Sequence, residues 1–215
     1  MDFVIEQRSV ILDGFLMTVR LAATSGVLAL VFGTVLAVMR VSPIGPLRWA
    51  AGFYVTVVRN TPLTLVFVFS TFGLPRLDIR FSFVTFAVIA LTAYTSAFVC
   101  EVVRSGIGSV AKGEVEAARS IGLVFGQILT LVVLPLAFRA VIPPLSSVFI
   151  ALTKNTSIAV AFSVAEATSI LRRLQNQDAS ATFPLLITTA AGYLVLTLVL
   201  SAAFNTLERR VRVAR

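Results

Sequence analysis

The sequence predicts an all-α integral membrane protein, and three observations carry that prediction. Of 215 residues, 58% are hydrophobic and only 13% charged, whereas soluble domains average about 45–50% and about 25%. The mean hydropathy is +0.97. Apolar stretches recur at the length of about 20 residues that a helix needs to cross about 30 Å of hydrocarbon. Absences narrow the chemistry further. The chain has no histidine and one cysteine, Cys100, so the commonest metal ligand and general base is missing and no internal disulfide can form. No G-x-x-x-x-G-K-[ST] phosphate loop occurs. The expectation is one membrane domain, residues 1–215, that is not an enzyme and carries no metal or cofactor of its own.

The elements follow in order. The first residues hold Asp2, Glu6, Arg8 and Asp13 rather than a basic leader, so no cleaved signal is expected. Residues 14–39 form the first span, charged only at Arg20. Residues 47–72 form the second, interrupted by Arg48 and by Arg59-Asn60-Thr61-Pro62. Residues 82–103 form the third, with Glu101 its only charge. Residues 123–136 and 140–152 are apolar but short, as in buried or discontinuous helices. One span is expected from the 123–153 region. Residues 183–207 form the fifth and carry no charge. Loops 40–48, 104–122 and the C-terminal tail hold nine Lys and Arg, the opposite set six. That bias places the N-terminus outside and the tail in the cytoplasm. The basic tail, from Glu208 to Arg215, suits anionic lipid headgroups rather than nucleic acid.

Residues 105–122 do not belong in lipid. They contain Lys112, Glu114, Glu116 and Arg119 with four glycines. Residues 114–122 suit a short polar helix between Gly113 and Gly122, with Glu116 and Arg119 able to pair at i,i+3. Such a helix is either a solvated connection or a docking element for a cytoplasmic partner.

Within it Glu116-Ala117-Ala118, then Gly122, then Val132-Val133-Leu134-Pro135 fit the pattern E-A-A-x3-G-x9-[IV]-x-L-P. This resembles the EAA loop of ABC importer permeases. Arg59-Asn60-Thr61-Pro62-Leu63, Phe72-Gly73-Leu74-Pro75 and Thr153-Lys154-Asn155-Thr156-Ser157 resemble signatures of the polar amino-acid uptake branch. The wording as a whole is most similar to glutamate-importer permeases of actinobacteria. The resemblance implies a five-transmembrane-helix type I ABC importer permease fold with a cytoplasmic EAA coupling helix, in a bacterial cytoplasmic membrane. It implies a second, related permease subunit, two ATPase subunits holding ATP and Mg, and an extracytoplasmic solute-binding protein. Carried across, Glu116, Ala117, Ala118 and Gly122 are the ATPase-docking residues.

Ionisable groups at membrane depth are functional candidates by default. Arg59 follows Arg48 by 11 positions, roughly 16 Å of helix and about half the hydrocarbon core. Pro62 leaves the carbonyl at position 58 without its helical donor, which Asn60 and Thr61 can replace unless they face a cavity. A satisfied structural arginine at a proline kink is the competing reading. A second break is expected at 153–157, with Thr156 or Ser157 as N-cap of a following apolar piece. Helix amide ends there attract carboxylates. Asn155, Thr156 and Ser157 are therefore expected to line the substrate path, with Lys154 adding positive potential; an ordinary outer loop is the alternative. Tyr94, Thr95 and Ser96 can add hydrogen bonds. Arg20, Arg59, Arg104, Arg139 and Lys154 outnumber Glu101, which is expected to pair with Arg104. The surplus favours an anionic cargo such as glutamate, with glutamine or another polar amino acid as the alternative. An ion-coupled carrier would need an inverted repeat or mid-span carboxylates, and neither is evident.

Overall fold

The computed structural model describes residues 2–211. A helical turn, Asp2–Glu6, leads into α1 (Arg8–Val41). α2 (Gly45–Arg59) is followed by α3 (Leu63–Val68), which runs on through a π turn, Phe69–Gly73, and a 3₁₀ turn, Leu74–Leu77. α4 (Phe83–Gly108) and the short α5 (Lys112–Ser120) come next. α6 (Phe125–Phe162) is α-helical except for a π turn at Leu129–Val133 and a 3₁₀ end at Thr156–Phe162. α7 (Ala167–Gln177) and a 3₁₀ turn, Ala179–Ala181, precede α8 (Thr182–Val211). Among the described residues α1, α4, α6 and the run into α8 are long and apolar enough to cross a membrane. α2 with the α3 run makes a fifth crossing if the bent pair counts as one. Arg212 and Arg215 of the basic tail lie outside the described residues, and Arg209 and Arg210 end α8.

α4 is the centre. Inside its most apolar stretch 56% of residues are buried, against 6% in α8. The contacts of α1 are built on small residues. Gly14, Thr18, Ser25, Ala29, Gly33 and Ala37 are all buried on one stripe of α1, of which Gly14 and Thr18 meet α7 and Gly33 meets α4. In hydrocarbon no hydrophobic force pulls helices together, so close backbone approach through small residues supplies the packing. A Cβ on Gly33 would sit 2.6 Å from Val99 and 2.8 Å from the Ser96 carbonyl. Leu21, Leu63, Phe67, Leu91, Leu152 and Phe162 then form the largest apolar cluster, at the meeting of α1, α3, α4 and α6.

Two sequence expectations change here. Residues 47–72 are not one straight span: α2 and the α3 run meet at 108°. Pro62, the N-cap of α3, cannot donate to the ladder and crowds the preceding turn. The 123–153 region is not discontinuous, because helix continues through Pro135, Pro143 and Pro144. Both Leu-Pro pairs, Leu74-Pro75 and Leu134-Pro135, directly follow a π turn. The widened turn absorbs the ring and shifts the hydrogen-bond register, so the chain turns on without a break.

Gly33→Ala is expected to lower the thermal midpoint of the purified protein, at a cost of about 1–3 kcal/mol for overpacking. Gly52, whose added Cβ meets nothing within 4 Å, is the control. Gly52→Ala should hold or raise the midpoint, because a helical glycine costs up to about 1 kcal/mol relative to alanine.

Candidate functional site

One face of α4 and one face of α6 make a groove. Tyr94, Thr95 and Phe98 share a cavity of about 420 Å³ with Ser147, Ala151 and Asn155 of α6. Further along the same faces, Glu101, Arg104 and Ser105 share a second cavity of about 350 Å³ with Pro144 of α6 and Arg59 of α2. Positions 94, 98, 101 and 105 recur at three and four residues, and so do 155, 151, 148 and 144; that spacing keeps each set on one side of its helix. Phe98 stands between the two cavities. Its ring lies 5.0 Å from Tyr94, and the Arg59 guanidinium lies 5.4 Å from its centroid, within cation–π range.

The Glu101 carboxylate is the electrostatic centre. It accepts from Arg40 through Oε1 and from Arg104 at 2.8 Å through Oε2, and Arg59 stands 3.9 Å from Oε1. Arg40 ends α1 and Arg59 ends α2, so one carboxylate ties three helices. Three guanidiniums against one carboxylate leave a positive surplus. The Arg40 side chain is 23% exposed, whereas those of Arg59 and Arg104 are 43% and 42% exposed.

The structure sorts the residues picked from sequence. Arg59 borders the groove at the level of Phe98 and Glu101, and it is partnered rather than free. Asn60 Nδ2 donates to the Thr56 carbonyl at 2.7 Å and Thr61 Oγ1 to the Val57 carbonyl at 2.8 Å. Thr61 thus serves the Val57 carbonyl, which loses its backbone donor because the Thr61 N–H turns to Val58, and Asn60 adds a second donor to Thr56. Asn155 lines the upper cavity. Lys154 is exposed and lines neither cavity. The expected N-cap at 156–157 is absent. Helix passes from α to 3₁₀ without opening its amides, because Thr156 Oγ1 donates to the Thr153 carbonyl and Ser157 Oγ to the Lys154 carbonyl, both at 2.7 Å. Thr156 is fully buried. Arg40, Phe98 and Ser147 were not picked from sequence. A lone charge in the third span marked Glu101, but partners on two other helices leave no signature in spacing.

α5 protrudes, with Glu116 and Ala117 exposed and Ala118 buried. It starts at Lys112, so Gly113 lies inside the first turn instead of before it. Among the described residues no ion pair joins Glu116 to Arg119. Gly122 has φ +86°, the left-handed region that only glycine enters freely. Its N–H donates to the Arg119 carbonyl and that of Leu123 to the Ala118 carbonyl, a complete Schellman closure. Beyond it Ile121, Val124 and Phe125 are exposed at 77%, 64% and 79%.

On the far side of α6, Glu166 is fully buried in the connection to α7. It caps α7 by accepting from Thr168 N–H at 2.9 Å and Ser169 N–H at 2.8 Å, and it accepts from Tyr193 Oη at 2.9 Å. The Ala167 N–H donates to Thr18 of α1. Burial pushes the Glu166 carboxyl above the usual carboxylate range, against the opposing pull of these hydrogen bonds.

Comparison with known proteins agrees with this architecture. The family described as binding-protein-dependent transport system inner membrane component matches residues 29–213. The chain belongs to that family. Among its relatives, the glutamate transport system permease protein GluC of Corynebacterium glutamicum is 39% identical over 95% of each chain. The "Probable glutamine ABC transporter permease protein GlnM" of Bacillus subtilis is 38% identical over 94% of each. A crystal structure of an amino acid ABC transporter superposes with a TM-score of 0.89 at 30% identity, covering 96% of each chain. The fold is therefore that of a type I ABC importer permease.

A raised carboxyl pKa in the folded state fixes a pH dependence. Between the unfolded and folded values the native state binds more protons, so stability falls as pH rises. The stability of the wild type relative to Glu166→Gln should therefore be greatest below the ordinary carboxylate pKa and decline as pH rises through the folded value. Thermal melts of both proteins across acidic to neutral pH check it; a difference independent of pH contradicts it.

Proposed function

We propose that this chain is the permease subunit of an ATP-driven importer for a polar amino acid, with L-glutamate as the cargo. The observation that carries the reading is the α4–α6 groove, whose largely apolar upper cavity, with Tyr94, Thr95, Ser147 and Asn155 as its polar groups, adjoins a lower one where guanidinium outnumbers carboxylate. Every α-amino acid brings a carboxylate, and glutamate brings two. Arg59 attracts them, Asn155 offers an amide to the cargo, and Asn60, Thr61, Thr156 and Ser157 support the path by closing its backbone, while Lys154 stands outside both cavities. GluC, named for glutamate, is 39% identical to this chain. L-Glutamine is the second reading, favoured by the uncharged lining of the upper cavity and by the 38% identity to GlnM.

Energy comes from outside the chain, since no phosphate loop is present. α5 faces the cytoplasm in this reading, with the N-terminus outside and α8 ending inside. Glu116, Ala117, Ala118 and Gly122 dock on an ATPase subunit: small residues permit close approach, and Ile121 and Phe125 add apolar contact. ATP and Mg belong to two such subunits. A second, related permease chain completes the path, and an extracytoplasmic binding protein delivers the cargo. ATP-driven closure of the motor moves α5, and the two permease halves rock between outward and inward openings.

The test is the intact complex in lipid vesicles with its binding protein. L-Glutamate should stimulate ATP turnover several-fold, and Glu116→Lys should abolish the stimulation while the chain remains inserted. Stimulation by L-glutamine alone would move the cargo to the second reading. Uptake driven by an ion gradient without ATP would overturn the proposal.

A further inference from the structure

The Glu101 cluster does more than hold helices together. Arg40 is the most enclosed of its three guanidiniums and lines neither cavity of the groove. Arg59 and Arg104 are about twice as exposed and both border the lower cavity. Arg59 stands 3.9 Å from the carboxylate, beyond the range of a strong charge-assisted hydrogen bond. Arg104 spends Nη2 on Glu101, while its buried Nε has no hydrogen-bond partner. A buried donor without a partner is costly; Nε is closed off, and it is the exposed part of the guanidinium that a second carboxylate in the lower cavity can reach. The lower cavity thus has two half-satisfied guanidiniums and one resident carboxylate that competes for them.

We propose that the lower cavity is a second station on the translocation path, an exit site for a carboxylate, with Glu101 as a built-in counter-ion. The inference rests on the importer reading above and adds this station to it. A cargo carboxylate that has passed Phe98 pairs with Arg59 and Arg104 and shares them with Glu101. Because Glu101 holds both guanidiniums partly neutralised, the cargo is attracted but not trapped. Arg40 keeps Glu101 in place when the outer two arginines turn to the cargo.

The experiment is equilibrium binding of radiolabelled L-glutamate to the permease–ATPase complex in lipid nanodiscs, without binding protein or nucleotide. L-Lysine methyl ester, which has no carboxylate, is the control ligand. Glu101→Gln removes the competitor and should tighten L-glutamate binding about tenfold, the scale of one hydrogen bond to a charged group, and should leave the ester unaffected. Adding Arg104→Gln should cancel the gain. Unchanged L-glutamate affinity in an assembled Glu101→Gln complex would overturn the inference, and so would a gain that survives loss of Arg104. Should Glu101→Gln not assemble, Arg104→Gln alone decides: weakened L-glutamate binding supports the station, and wild-type affinity overturns it. Cargo-stimulated ATP turnover of the wild type is a separate readout. If that stimulation is present and the variants show no shift, the second station fails and the importer reading stands.

Discussion

Every irregularity in this chain answers one constraint. In hydrocarbon there is no water to satisfy a backbone N–H or C=O, so each such group must find its partner inside the protein. The bend at Pro62 would strand carbonyls at the end of α2. Asn60 and Thr61 side chains take those of Thr56 and Val57, and the Thr61 N–H takes that of Val58. The two Leu-Pro pairs threaten the ladder in the same way, and a π turn precedes each. Thr153, Thr156 and Ser157 hydroxyls fold back on carbonyls where α6 tightens to 3₁₀. Polar residues that look like binding groups in a sequence are here spent first on backbone.

This sets what was legible. The spans at 14–39, 82–103 and 183–207 stand out because long apolar runs admit no other reading. α5 stands out for the opposite reason, since its charges cannot enter lipid, and Gly122 marked its end. The 108° turn between α2 and the α3 run was not legible. A proline announces a break but carries no angle; the angle comes from packing on α4. The continuity of α6 was hidden because Arg139 and the prolines interrupt the hydropathy, although neither interrupts the helix. The partners of Glu101 were hidden for a topological reason. Arg40 is 61 positions away in sequence, and no periodic pattern reaches across three helices.

Small residues and the charged cluster divide the labour of holding α1 against α4. The glycine and alanine stripe brings the backbones close and gives dispersion contact without specificity along the axis. The Arg40–Glu101 pair adds a fixed register at one end, and the Thr18–Ala167 hydrogen bond ties α1 to α7 nearer the other. α2 is held on α4 as well: Arg59 reaches the cluster at 3.9 Å, and Tyr54 Oη donates to the Ala93 carbonyl at 2.8 Å.

The sign of the groove follows from that division and not from composition. Counting charges credits Arg20, Arg139 and Lys154 to the path, but all three are exposed and line neither cavity. Only Arg59 and Arg104 contribute, and Glu101 offsets part of their field. Conduction requires sites that attract enough to admit a cargo and little enough to release it. Two bare guanidiniums would make a deep well for a dicarboxylate, and a purely neutral groove would make none. In the station proposed above, a resident carboxylate shared among three arginines gives the shallow well in between.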